Sequence, residues 1–204
     1  MLLDFSAVVI GYLLGSIPAA YVIARLQKGI DIRDVGSRNM GAANVFREVS
    51  PLAGIAVWAI DVAKGSATIL IAQALCTSEP WVLIAGFAAM LGHNFPVYIG
   101  FRGGRGAATT MGIFLVLAPV AMAITFALLA IPYYFLRRIF IAMCIVGPVF
   151  PILIWQLEHS VVLAAYSLVL LFFMAIRNLP RPQEIPQLLA KVKEKYRSDR
   201  YLED

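Results

Sequence analysis

Apolar residues fall in long unbroken runs along this chain, and polar residues gather in a few short stretches between them. The runs cover about 3–25, 51–75, 80–100, 107–136, 139–157 and 159–176. A helix rises about 1.5 Å per residue, so about 20 apolar residues cross about 30 Å of hydrocarbon. Each run therefore predicts a membrane helix. The fourth, roughly 30 residues long, is too long for one crossing. Ala118-Pro119 divides it, because proline ends or kinks a helix near the residue before it. The division leaves a short span, roughly Ala107–Ala118, directly after a glycine-rich loop. The expected architecture is an all-α, polytopic membrane protein with seven transmembrane helices.

Charge supports that count. With seven spans, every Lys and Arg except Lys64 falls on one side of the bilayer. The first polar loop holds Arg25, Lys28, Arg33, Arg38 and Arg47, the second Arg102 and Arg105, the third Arg137 and Arg138, and the rest run from Arg177 to Arg200. The opposite loops carry Glu79 and Glu158. With six spans, Arg137-Arg138 and the tail would change sides. The positive-inside rule thus places the amino terminus outside and the carboxyl terminus in the cytoplasm.

Composition agrees: 61% of residues are apolar and 14% charged, about half the charge of a soluble domain. Residues 1–204 are expected to form a single integral membrane domain, with 187–204 as a basic cytoplasmic tail near lipid headgroups. Phe5–Ala24 lacks a cleavage pattern and reads as a retained span. Gly11 and Gly15 are spaced for close helix contact. Cys76 and Cys144 follow no metal spacing, and no disulfide between them is expected. The net charge of +5 follows topology, so membrane lipids are expected neighbours and nucleic acid is not. The pattern leaves the oligomeric state open.

Candidate chemistry lies in the polar loops. In Gly92–Thr110, the run Gly103-Gly104-Arg105-Gly106 can turn its amides inward as an anion nest, bracketed by Arg102 and Arg105. Ala107–Thr110 then reads as a helix start whose unpaired amides and dipole favour an oxyanion. The alternative is a loop whose arginines anchor the chain to headgroups. From Asp31 to Arg47, Ser37, Asn39 and Asn44 offer hydrogen bonds, Gly36 and Gly41 give backbone access, and Arg33, Arg38 and Arg47 supply charge. That mixture suits a phosphate or a polyol. Asp61 and Lys64 lie well inside the second span at i, i+3, where a structural ion pair competes with a catalytic role. His93 is either a general base or a hydrogen-bonded residue that shapes the loop. No metal-ligand cluster and no cofactor motif stands out, so chemistry here would rest on positioning and charge stabilisation.

These loops resemble the motifs of the bacterial acyl-phosphate-dependent glycerol-3-phosphate acyltransferases, integral membrane enzymes of phospholipid synthesis. Asp31–Arg47 is similar to the first motif and Gly92–Thr109 to the second, and Asp61–Gly65 matches a short D-x-x-K-G element. The resemblance implies seven spans in the bacterial inner membrane, with the site on the cytoplasmic face. It implies transfer of an acyl chain from acyl phosphate to the 1-hydroxyl of glycerol-3-phosphate, giving 1-acylglycerol-3-phosphate and phosphate. Carried over by position, Ser37 and the Gly103–Gly106 nest would hold the acyl-phosphate group. Arg47, Arg105 and Asn178 would hold the glycerol-3-phosphate, whose own phosphate could take the hydroxyl proton. On this reading Arg47, Arg105 and Ser37 are catalytic. Arg33, Asn39, Gly41, Asn44, His93, Gly103, Gly104, Gly106, Thr109, Asn178 and Arg181 bind substrate.

The chain departs from the family pattern at several positions. Arg38 stands for glycine, Ala43 for threonine, Arg105 for lysine, and Ile141 and Cys144 for serines. In the third motif Ala175 stands for histidine, and a following G-T-E is missing. Such changes fit a divergent member. A transporter or flippase for a phosphorylated metabolite and an inactive lipid-binding relative are the competing readings.

Overall fold

The computed structural model describes residues 1–137 and 139–179. Its described residues contain helices and no strand. Ten helices follow one another: α1 (Leu2–Gly15), α2 (Ala19–Lys28), α3 (Ala42–Glu48), α4 (Pro51–Leu75), α5 (Glu79–Asn94), α6 (Ala107–Leu117), α7 (Pro119–Leu136), α8 (Ile139–Val146), α9 (Val149–Glu158) and α10 (Val161–Asn178). Five stretches are long and apolar enough to cross a membrane: Leu2–Lys28, Pro51–Leu75, Glu79–Ile99, Pro119–Leu136 and Val161–Asn178. Ala107–Leu117 and Val149–Glu158 are shorter apolar helices.

The fourth apolar run divides where Pro119 predicts, with α6 ending at Leu117 and α7 starting at Pro119. Two other runs break as well. The first, expected as one span, is two helices parted at Ser16–Pro18. The fifth parts at Gly147-Pro148. Proline removes the amide that would continue each ladder, which frees carbonyls on the preceding turn. At the first break the Ile17 carbonyl accepts from the Ala19 amide at 3.1 Å and from Lys64 Nζ at 3.2 Å.

Membrane helices gain little from burying apolar surface and depend on close packing and polar contacts. Small residues provide the close packing here. A Cβ on Gly11 or Gly15 of α1 would collide with the Ala85 or Ala89 carbonyl of α5. Gly65 of α4 and Gly112 of α6 abut the Thr109 and Val62 carbonyls in the same way, and Ser66 donates across this crossing to Gly112 O at 2.8 Å. The span Glu79–Ile99 is the axis of the bundle, with 61% of it buried against 22% for Pro119–Leu136. Ile69, Ala85, Met90, Ile113, Phe114 and Ile154 fill the main core. A second cluster, with Ala24, Ile32, Met40, Val45, Ala53 and Val57, packs the first polar loop against α2 and α4.

The chain divides into a compact unit Met1–Met174 and a segment from Ala175. Of the latter, Ala175–Asn178 form the last turn of α10. Arg181 and the expected tail 187–204 lie outside the described residues.

Candidate active site

The first polar loop is held by side chains that the sequence nominates for ligand binding. Asn44 is buried on α3; its Oδ1 accepts from the Ser37 amide at 2.9 Å, and its Nδ2 donates to Ile32 O and Val35 O at 3.0 and 3.1 Å. Three of its four hydrogen-bonding sites go into the loop. Arg33 pairs with Asp31 at 2.7 Å, lies over the Tyr21 ring and donates to Ile99 O at 2.9 Å. The Arg33 guanidinium holds the Asp31 carboxyl below its ordinary pKa, and the carboxylate raises that of Arg33. Arg33 therefore ties the first loop to the second. Ser37 is exposed beside these contacts.

The second loop leaves the end of α5 and returns onto it. Gly103 N donates to Asn94 O and Gly104 N to His93 O, both at 3.1 Å, closing an excursion that includes a 3-10 turn at Val97–Ile99. For Gly103 and Gly104 these bonds depart from the expected nest, because both amides face backbone carbonyls. The two glycines serve close approach instead. A Cβ on Gly103 would strike His93 O, and one on Gly104 would strike His93 Nε2 and Met40 O. Gly106 has φ +87° and sets the start of α6. The amides of that first turn have no partner within the helix, as at any helix start. Thr109 lies in this turn, fully buried against α4.

Two adjoining hollows open beside these elements. One, of about 420 Å³, is lined by Asn39, Gly41, Asp61, His93, Arg105 and Gly106 together with the apolar Met111, Phe126, Leu129, Ala130 and Met143. The other, of about 790 Å³, is lined by Phe46, Arg47, Gly54, Ile55, Arg137 and Ile141. Ala42, Ala43, Trp58 and Tyr133 line both. Ala42 and Ala43 of α3 thus border both the hollow lined by Arg105 and the one lined by Arg47. Arg33, Ser37 and Asn44 line neither hollow. Asn178 ends α10 in the segment from Ala175 and is described there alone.

Asp61 and Lys64 form the expected pair at 2.8 Å, both buried. His93 joins them, its Nδ1 lying 2.8 Å from Lys64 Nζ. Sequence reading missed this third member, and it missed Trp58, Tyr133 and Arg137 in the walls. The i, i+3 spacing of Trp58 and Asp61 on α4 is the one signal that could have found the tryptophan.

A hollow lined by an arginine and by apolar side chains suits an anionic headgroup on a hydrocarbon chain. Comparison with known proteins decides the family. A model of glycerol-3-phosphate acyltransferases matches residues 5–187. The chain belongs to that family. The glycerol-3-phosphate acyltransferase 1 of Dehalococcoides mccartyi is 39% identical over 177 residues, covering 84% of this chain and 85% of the relative. The Geobacter sulfurreducens glycerol-3-phosphate acyltransferase is 34% identical, covering 87% and 91%. Among solved structures, the glycerol 3-phosphate form of the integral membrane acyltransferase PlsY superposes with a TM-score of 0.81 at 30% identity, covering 92% of each chain. Its lysophosphatidic acid form superposes at 0.79 and 29%. This member of the family is accordingly a multi-pass membrane acyltransferase.

Proposed function

We propose that this chain moves a fatty acyl group from acyl phosphate to the 1-hydroxyl of glycerol-3-phosphate at the cytoplasmic face of a bacterial inner membrane. The hydroxyl oxygen attacks the acyl carbonyl, the new ester bond forms, and the bond to the phosphate oxygen breaks. The products are 1-acylglycerol-3-phosphate and inorganic phosphate. The hydroxyl proton passes to the phosphate of the acceptor, so no protein base takes part.

The observation that carries this reading is the single hollow lined both by Arg105, Asn39 and the Gly106 helix start and by Met111, Leu129 and Met143. An acyl phosphate has that same pair of ends. Arg47 in the adjoining hollow supplies the cation for the acceptor, and a planar guanidinium holds two phosphate oxygens at once. Asn178 and Arg181 assist by their place in the third motif. Placing two anions beside fixed cations provides both the orientation and the charge stabilisation that the transfer needs. Seven spans, with the amino terminus outside, gather these loops on one side. In that count α6 is a short span aimed at the glycine loop, and α8 and α9 together make one crossing.

Purified protein incubated with acyl phosphate and labelled glycerol-3-phosphate tests the proposal. Labelled lysophosphatidic acid and an equal amount of released phosphate are expected. Uptake of label into vesicles without product, or transfer only from a thioester donor, would overturn it.

A further inference from the structure

Asp61 and Lys64 on α4 and His93 on α5 form one buried polar cluster, their side chains 3%, 3% and 4% exposed. Lys64 Nζ lies 2.8 Å from Asp61 Oδ1, 2.8 Å from His93 Nδ1 and 3.2 Å from the Ile17 carbonyl. An ammonium has three N–H donors and no lone pair. Three partners surround it, so each donor has an acceptor. Two of them, a carboxylate and a carbonyl, can only accept. A lone carboxylate in this interior would lack compensation, so Asp61 keeps Lys64 charged.

The third partner then has no choice of role. With Lys64 an ammonium, an Nδ1–H tautomer of His93 would set N–H against N–H at 2.8 Å. An imidazolium would add a second buried cation to one carboxylate. Nδ1 therefore accepts, and the ring proton sits on Nε2. Nδ1 also lies 3.5 Å from Asp61 Oδ1, a longer contact than the one to Lys64 Nζ. The Nε2 edge faces Gly104, and His93 lines the hollow that holds Arg105 and Gly106.

We propose that His93 is a neutral hydrogen-bond donor locked in its Nε2–H tautomer, and that Lys64 and Asp61 are positioning residues that impose this state. The inference rests on the reading above for its substrate, an oxygen of the acyl-phosphate group. Negative charge grows on that group as the acyl–oxygen bond breaks, and a preset N–H stabilises it. A histidine protonated at Nε2, with Nδ1 engaged by an ammonium, cannot accept the hydroxyl proton. The Ser16–Pro18 break in the first span thereby gains a role: it supplies the Ile17 carbonyl that takes the third lysine proton.

The chain has two histidines, so ring nitrogens can be read directly. His159 has φ +51°, a conformation asparagine tolerates, and His159→Asn leaves His93 as the sole ¹⁵N-histidine signal. The spectrum in lipid nanodiscs should show a protonated Nε2 and a bare Nδ1, unchanged through about pH 6.5 where a free histidine titrates. A protonated Nδ1, an imidazolium, or ordinary titration would overturn the inference. Lys64→Met should release the lock and restore titration, with a fall in kcat and little change in KM. The neutral pair Asp61→Asn with Lys64→Met should do the same if the single variant fails to fold. An unchanged His93 signal in a folded variant overturns the proposal.

Activity separates donor from base. His93→Ala should lower kcat about 10²-fold, as loss of one donor to a developing anion does. His93→Gln, which donates but cannot carry a proton, should stay within about tenfold of the parent. Equal losses in the two variants would mean a base. A protein inactive with acyl phosphate defeats the functional reading, while the spectrum still decides the tautomer.

Discussion

Gly104 offers a sharp test of how the second loop positions the site. Its amide is tied to His93 O at 3.1 Å, and an added Cβ would meet His93 Nε2, His93 Cε1 and the Met40 carbonyl. One of these neighbours is backbone in the buried cluster under the first loop, and the ring is held from behind by Lys64. Neither side yields easily, so the methyl of Gly104→Ala must push the loops apart. Overpacking of this kind costs about 1–3 kcal/mol, or about 2–4 °C of melting temperature per kcal/mol for a chain of this size. The chemical effect is larger, because displacement of about 1 Å at a reacting group can cost about 10²-fold in rate. Gly100→Ala is the matched control. Its φ is +73° and nothing lies within 4 Å of the added carbon, so it incurs about 1 kcal/mol of left-handed strain and no displacement. Thermal unfolding and steady-state kinetics should show a melting shift in both variants, the larger in Gly104→Ala, and a kcat loss in Gly104→Ala alone. Full activity in Gly104→Ala would refute the claim that this contact sets the ring and both loops.

Further predictions concern charge and topology. Arg47→Ala and Arg105→Ala should each lower kcat/KM about 10- to 150-fold, the loss of one charge-assisted hydrogen bond, and Arg105→Lys should recover most of its share; equal activity in both alanine variants and the parent would remove the arginines from the site. Asp31→Asn should lower the melting temperature at neutral pH. The Asp31 carboxyl titrates below its ordinary value in the folded protein, so its stabilisation is complete above about pH 4 and is lost as pH falls through the lower folded value. The gap between Asp31→Asn and the parent should therefore close only under acid, and a gap that widens there contradicts the pairing with Arg33. With Cys76 and Cys144 replaced by alanine, Glu79→Cys should react with an impermeant maleimide on intact cells and Arg38→Cys only after permeabilisation. Reaction of both from the same side would exclude the proposed orientation.

Local signals made much of the fold legible. Run length against bilayer thickness marked the five stretches long and apolar enough to cross a membrane, and Pro119 marked the end of α6 because a missing amide acts wherever it occurs. The i, i+3 spacing of Asp61 and Lys64 was enough to pair them, and Gly11 and Gly15 announced a close helix contact that α5 provides. The breaks at Pro18 and Pro148 carried the same residue signal as Pro119. Each of those runs is short enough to form one span, so length gives no reason for a break there.

Run length, hydropathy and proline act through local physics, so the helical membrane architecture and the inventory of charged and small residues are readable from the residue order alone. How that inventory is spent depends on packing in three dimensions. Arg33 and Asn44 look like ligand-binding groups in the sequence, yet both are engaged within the loops, Arg33 with Asp31 and the Ile99 carbonyl and Asn44 with Ser37, Ile32 and Val35. The Gly103 and Gly104 amides pair with α5 carbonyls. His93 meets a lysine 29 residues away, and that lysine also reaches the Ile17 carbonyl at a helix break. A polar side chain has a fixed number of hydrogen bonds to give, and three-dimensional proximity alone determines which partner takes them.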